Sequence, residues 1–143
     1  MKKRFIIIIL TILIVISIIG VILLNISKIR GNTNDVKITI GDSKMYTKKE
    51  IESASEIVLD KFKDFPAKLN ELWYDEDKSK MQSDEWAKHY GADEAIILYS
   101  NFTTYPGETS ILDGFNPDSD YVNWNWILVR KNKEKWKLVD WGY

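Results

Sequence analysis

Cysteine is absent from the chain and histidine occurs once, as His89. The first absence excludes a disulfide framework, a thiolate metal site, a cysteine nucleophile and a lipid-modified cysteine; the second leaves no pair for a histidine-based metal centre. Proline is scarce, with only three residues. Acidic side chains are missing from the first 30 positions, which hold five of the 20 basic ones (Lys2, Lys3, Arg4, Lys28 and Arg30). Residues 31–143 are left with 15 basic side chains against 21 acidic, a net of −6. Such a domain is a poor partner for nucleic acid, whose affinity comes mainly from neutralising phosphates. No cofactor is implied.

What the chain does have is one long apolar run. Phe5 to Leu24 holds 17 apolar residues in 20, ten of them isoleucine, interrupted only by Thr11, Ser17 and Gly20. Twenty helical residues rise about 30 Å, the hydrocarbon thickness of a bilayer. A helix apolar on every side has no soluble alternative here, because 113 further residues cannot build a core large enough to bury it. The two hydroxyls cost little, since each can bond back to a carbonyl one turn earlier. Lys2, Lys3, Arg4 and the α-amino group outweigh Lys28 and Arg30, so the positive-inside rule keeps the N-terminus in the cytoplasm. The run is longer than a cleavable signal's apolar stretch, and Leu23-Leu24-Asn25-Ile26-Ser27-Lys28 offers no small-x-small cleavage site. The expectation is an uncleaved, single-pass signal anchor over residues 1–30, spanning about 5–24, in the cell membrane with the C-terminal domain extracellular. The sequons at Asn25 and Asn101 matter only in a eukaryotic secretory pathway.

Gly31 to Asp35 reads as a polar linker reaching at most about 18 Å. Residues 36–143 read as an extracytoplasmic α+β domain. Val36, Ile38 and Ile40 alternate with polar residues, a short strand. Thr47-Lys48-Lys49-Glu50 is a capping box, with Tyr46 and Ile51 placed as a hydrophobic staple. Ile51, Ala54, Val58, Phe62 and Phe65 follow at helical spacing, and Pro66 ends that helix near Asp64. Leu69–Tyr74 reads as a strand closed by an acidic turn, Asp75-Glu76-Asp77. A short helix is expected over Met81–Tyr90, with Gly91 as its C-cap glycine. Ala95–Tyr99 is apolar on both faces and so central in a sheet. Thr104–Asp120 is an irregular loop containing Pro106-Gly107, Asp113-Gly114 and Asn116-Pro117.

Two strands, Tyr121–Arg130 and Lys135–Trp141, finish the chain. Closing their hairpin with Lys131-Asn132-Lys133-Glu134 sets Trp126 opposite Val139 and Asn125 opposite Asp140. One face then gathers Val122, Trp124, Trp126, Leu128, Val139 and Trp141. The other gathers Ile127, Val129, Trp136 and Leu138 with Asn123, Asn125 and Asp140.

Glu71-Leu72-Trp73-Tyr74-Asp75, Tyr90-Gly91-Ala92-Asp93-Glu94-Ala95, Trp124-Asn125-Trp126-Ile127-Leu128-Val129 and the ending Asp140-Trp141-Gly142-Tyr143 resemble a family of small secreted or membrane-anchored proteins from low-GC Gram-positive bacteria, a domain of unknown function. The resemblance spans Ile38 to Tyr143 and implies a cystatin- or nuclear-transport-factor-like cone: a long helix packed in a curved antiparallel sheet of about four to five strands. It carries no catalytic residues over.

Cone folds of this kind often hold a pocket at the open end, where isomerases and dehydratases place a base beside a tyrosine. Asp140, with Asn123 and Asn125, is the candidate cluster for such a base. The competing reading makes Asn125 and Asp140 a water-capped edge pair. His89, late in a helix, reads as a solvated residue favourable to the helix dipole. Asn116, Asp118 and Asp120 have the alternation of a calcium loop without its glycine or closing glutamate, so no metal site is expected. Six tryptophans and seven tyrosines lie within residues 46–143, more than so small a core needs, and Trp73 and Trp86 are the candidates for ligand stacking. The preferred reading is a membrane-tethered module binding a protein, peptide or cell-wall glycan. The alternatives are a pocketed cone-fold enzyme using Asp140 and an accessory subunit of an envelope or conjugation assembly.

Overall fold

In the computed structural model the described residues are 2–29, 31–107, 110 and 114–143, with side chains described at 6–21 and, among these, from 31 onward. The flanking charges Lys2, Lys3, Arg4, Lys28 and Arg30, the Asn25 sequon, the ends of the apolar run and Asp113 of the expected Asp113-Gly114 turn lie outside the described residues or side chains. Two compact units are present, residues 1–30 and 31–143.

The first unit is one helix, α1 (Lys2–Ile29). Its apolar side chains from Ile6 to Ile19 are exposed all round, and Thr11 Oγ1 donates to the Ile7 carbonyl at 2.7 Å, the back-bond expected of a hydroxyl in an apolar helix. Among the described residues no helix is long and apolar enough to cross a membrane. The α1 side chains that are described cover 16 residues, about 24 Å of helix.

The second unit is α+β. Its elements are β1 (Lys37–Ile40), α2 (Lys48–Phe62), β2 (Ala67–Tyr74), α3 (Glu76–His89), β3 (Glu94–Thr104), β4 (Asp120–Arg130) and β5 (Lys137–Gly142), and the five strands form one sheet in chain order. The sheet is mixed rather than antiparallel throughout. β1 pairs parallel with β2, because α2 carries the chain back to the end from which β1 started. The remaining pairs are antiparallel, and β3 is central as its two-sided apolar run demands. Residues 31–35 are hydrogen-bonded onto the domain rather than free of it. Gly31 and Asn32 donate to the Lys63 and Ala67 carbonyls at 3.0 and 2.9 Å, and the Leu69 amide donates back to Asn32.

The start of α2 follows its local signals. Thr47 Oγ1 accepts from the Glu50 amide at 3.3 Å while the Glu50 carboxylate accepts from the Thr47 amide at 2.8 Å. Ile51, Ala54, Val58, Phe62 and Phe65 are all buried against the sheet with Leu69, Leu72, Ile96, Leu98, Trp126 and Leu128. Burying each large side chain of this stripe contributes about 1.5–3 kcal/mol.

α3 begins five residues earlier than the apolar pattern suggests. Asp75 caps it, its Oδ1 accepting from the Lys78 amide at 3.1 Å, and Glu76 and Asp77 occupy the first turn, where the helix dipole favours acid. The expected acidic turn is therefore a helix start. Glu76 also accepts from the Ser43 hydroxyl and from the Lys44 and Met45 amides, at 2.7 and 3.1 Å. These bonds hold its carboxyl below the usual range. β3 runs five residues past Tyr99, since polar Asn101 and Thr103 find partners across the sheet in Glu71, Asn70 and Asp120.

The hairpin register differs from the expectation. Trp126 stands opposite Trp141, Asn125 opposite Gly142 and Ile127 opposite Asp140. The tip itself closes as read: Glu134 donates to the Lys131 carbonyl at 2.8 Å, and Asn132 and Lys133 both take positive φ, as in a type I′ turn. Two slips on the β5 side then move the pairing. One residue is gained between the turn and Lys137, and Val139 is a second extra residue between the pairs Leu128–Leu138 and Ile127–Asp140. Between the slips the faces invert. Trp136 and Leu138 join the α2 side, and Val139 joins Ile127 and Val129 on the α3 side. Trp136 is drawn in because its Nε1 donates to the Glu50 carbonyl at 3.0 Å.

Candidate binding face

The α2 side of the sheet is packed with aromatic rings. Phe62, Phe65, Phe102, Phe115, Trp124 and Trp126 pack there at centroid distances of 5.2–6.2 Å, in mostly edge-to-face and tilted pairs.

The α3 side is different along its length. Near the hairpin, α3 lays Ala87 and Trp86 over Ala95, Ile97, Ile127 and Val129. Ser79, buried on the underside of the helix, accepts from the Ile97 amide at 3.0 Å, a donor that β2 ends too soon to reach. Beyond α3 the rows across the sheet become polar and aromatic. One row runs Thr39, Trp73, Tyr99, Asn125 and Gly142; the next runs Lys37, Glu71 and Asn101.

This open half is the candidate site. Trp73 stacks on Tyr99 with centroids 6.1 Å apart and planes 28° apart, and Trp73 remains half-buried. The Tyr99 hydroxyl is enclosed without a hydrogen-bond partner, and burial, then the Asp75 carboxylate, pushes its pKa up to about 12. Glu71 is held from two sides, by Lys37 Nζ at 3.2 Å and by Asn101 Nδ2 at 2.9 Å. Asn101 Oδ1 in turn accepts from the Asn123 amide at 3.0 Å. Asn123 takes φ 55° at the bulge where Val122 and Asn123 together oppose Asn101, a conformation asparagine tolerates better than most residues.

The sequence-predicted residues thus divide. Trp73, Asn123 and Asn125 converge on the open half, whereas Trp86 and Asp140 lie at its α3 border. Trp86 stacks on Tyr90 with centroids at 6.1 Å and planes 17° apart. Tyr90 donates weakly to Asp140 Oδ2 and to the Val139 carbonyl, at 3.4 and 3.5 Å. Asp140 Oδ1 accepts from the Trp141 amide at 2.8 Å. Asn125 and Asp140 are not opposite one another, so the edge pair is not formed. His89 is exposed in the last turn of α3, as expected of a solvated residue favourable to the helix dipole, and it also packs on Trp86 and Tyr90 at 5.9 and 4.8 Å. Asn116, Asp118 and Asp120 diverge, with Asp120 engaged by Thr103 Oγ1 at 2.6 Å and the Asn116 amide by the Tyr121 hydroxyl. Among the described residues no group of three His, Asp or Glu could hold a metal ion.

Glu71, Asn101 and Tyr99 were not singled out by sequence reasoning. Their signal was the alternation Tyr99, Asn101, Thr103, which continues the strand past its apolar part with polar residues on one face. The chain matches no family model, no curated protein and no solved structure.

Proposed function

We propose that the chain is a membrane-tethered binding or accessory module, anchored by its apolar N-terminal helix and carrying an extracytoplasmic domain with a cystatin- or nuclear-transport-factor-like arrangement. The domain holds a protein, peptide or cell-wall ligand against the open half of the α3 side. The observation that carries this reading is the half-buried Trp73 ring, backed by the buried Tyr99 on which Lys78 also lies, next to the bonded Glu71–Asn101 pair and to Asn125 in the adjoining row. Rings offer stacking area at low entropic cost, and the amides offer both donors and acceptors to a sugar or peptide edge. Tethering then raises the local concentration of such a module at the envelope.

The aromatic packing on the α2 side supports binding over an isomerase- or dehydratase-like activity, and the Tyr90 hydroxyl 3.4 Å from Asp140 is the contact that favours the enzyme reading. The resemblance to membrane-anchored proteins of low-GC Gram-positive bacteria points the same way. The test uses the full chain in non-ionic detergent, titrated with disaccharide–peptide fragments of peptidoglycan and followed by tryptophan fluorescence. Trp73→Ala and Asn101→Ala are each expected to weaken binding at least tenfold. Saturable binding that neither variant alters refutes the site. The anchor is checked separately: an extracellular-only reporter fused after Tyr143 is expected to be active, and recovery of a mature N-terminus near Ser27 would defeat the anchor reading.

A further inference from the structure

The β4–β5 hairpin carries a cluster of positive charge that the fold does not use. Lys131, Lys133, Lys135 and Lys137 alternate along it, in a domain that is otherwise net acidic. Lys133 is consumed by Glu94, and Arg130 is consumed by Glu50 and Glu94. Among the described residues the side chains of Lys131, Lys135 and Lys137 have neither an ion pair nor a hydrogen bond, and all three residues line one cavity of about 410 Å³. Its remaining wall is Tyr90, Ala92, Val129, Val139, the neutralised Arg130 and Glu134. Three lysines thus line the cavity with one acid, Glu134, while a second carboxylate, Asp140, accepts from the Tyr90 hydroxyl.

Like charges gathered around a concavity raise the free energy of the folded state, and neither packing nor pairing on this hairpin requires them. What the arrangement matches is an anion. With the Arg130 guanidinium already engaged by Glu50 and Glu94, the planar fork that best grips a carboxylate is not free, and the free donors are point charges, which suit a tetrahedral oxyanion. Tyr90 contributes a hydroxyl whose two present bonds, at 3.4 and 3.5 Å, are long enough to be exchanged for a better acceptor. Ala92, Val129 and Val139 add an apolar floor. The cavity is several times larger than a bare phosphate, so the floor has a carbon skeleton to cover.

We infer that this cavity is a binding site for an organic phosphate, with the phosphate held by Lys131, Lys135, Lys137 and the Tyr90 hydroxyl and the carbon part lying on Ala92, Val129 and Val139. The site is separate from the Trp73–Asn101 face and stands or falls on its own. A phosphate of this kind comes from a soluble ester or from a lipid headgroup, and both present the same chemistry to the lysines.

Lysine footprinting tests the site on the full chain. In phosphate-free buffer and non-ionic detergent, glycerol phosphate is expected to slow acetylation of Lys131, Lys135 and Lys137 at least threefold while leaving Lys68 and Lys80 unchanged. In nanodiscs without added ligand, the same three lysines are expected to be protected by phosphatidylglycerol but not by phosphatidylcholine if the source is a lipid. The triple variant Lys131→Gln/Lys135→Gln/Lys137→Gln is expected to weaken glycerol phosphate binding at least tenfold by calorimetry, and Lys68→Gln/Lys80→Gln to leave it unchanged. Protection by either source supports the site. Uniform protection of all lysines, no protection by either source, or equal affinity in the triple variant overturns it. Binding of inorganic phosphate as tight as that of glycerol phosphate overturns the role of the apolar floor.

Discussion

Replacing Glu50 by glutamine perturbs two contacts at once, because the two oxygens of this carboxylate serve different parts of the fold. Oε2 accepts from the Thr47 amide and hydroxyl, both at 2.8 Å, and completes the cap of α2. Oε1 accepts from Arg130, whose side chain is only 5% exposed and stacks 4.1 Å from the Trp136 ring. The Thr47 bond first, and then Arg130, holds the Glu50 carboxyl at about 2 instead of 4.5. A difference of that size corresponds to about 3 kcal/mol at about 1.4 kcal/mol per unit. The Glu50 side chain is 28% exposed, so solvent screening reduces this to about 1–2 kcal/mol. The folded-state pKa is depressed, so the contribution is complete above the unfolded value near 4.5 and disappears as pH falls toward 2. Glu50→Gln is therefore expected to destabilise the domain by about 1–2 kcal/mol at pH 7, with the difference shrinking steadily between about pH 5 and pH 2. Urea unfolding followed by tryptophan emission measures it, since all six tryptophans lie in residues 31–143. A loss below about 0.5 kcal/mol at neutral pH, or one that is the same at pH 3, would refute the linkage.

Three further substitutions probe other joints. Gly31→Ala would place a Cβ 1.9 Å from the Phe62 carbonyl oxygen, so the segment must shift; a loss of about 1–3 kcal/mol and faster amide exchange at Asn32 and Leu69 are expected, and unchanged exchange would show that the segment is not docked. Ser79→Ala strands the buried Ile97 amide and should cost about 1–3 kcal/mol in a melt, with Ile97 the first core amide to gain exchange. Asp140→Asn keeps an acceptor for Tyr90 and the Trp141 amide, so stability at neutral pH should change by less than about 1.5 kcal/mol. A gain above about 1 kcal/mol at neutral pH would instead mark the Asp140 charge as poorly solvated.

Features written within one turn of helix or a few residues of strand were legible in advance. The capping box at Thr47–Glu50, the buried stripe from Ile51 to Phe65 and the central position of Ala95–Tyr99 each depend on neighbours in sequence, and each is found as read. The apolar run of the first unit and the acidic balance of the second belong to composition alone. The start of α3 lay between the two kinds of feature. Its cap and acidic first turn were visible, but Asp75-Glu76-Asp77 is as good a turn as a helix start until Ser43, Lys44 and Met45 close on Glu76.

Tertiary structure decided what depends on partners far along the chain. Arg130 meets Glu50 across 80 residues and Glu94 across 36, and no local pattern announces that pairing. The two slips in β5 cost backbone bonds, and they are repaid by burying Trp136 and Leu138 under α2, so period-two alternation alone assigned those side chains to the wrong face. The parallel placement of β1 likewise follows from where α2 returns the chain. The open half of the α3 side exists because α3 crosses the strands at their Ala95–Ile97 end, from Ser79 at Ile97 to Tyr90 at Val139. A strand's own residues carry no record of how far a neighbouring helix will cover them, and that extent decides which of the polar and aromatic side chains reach solvent.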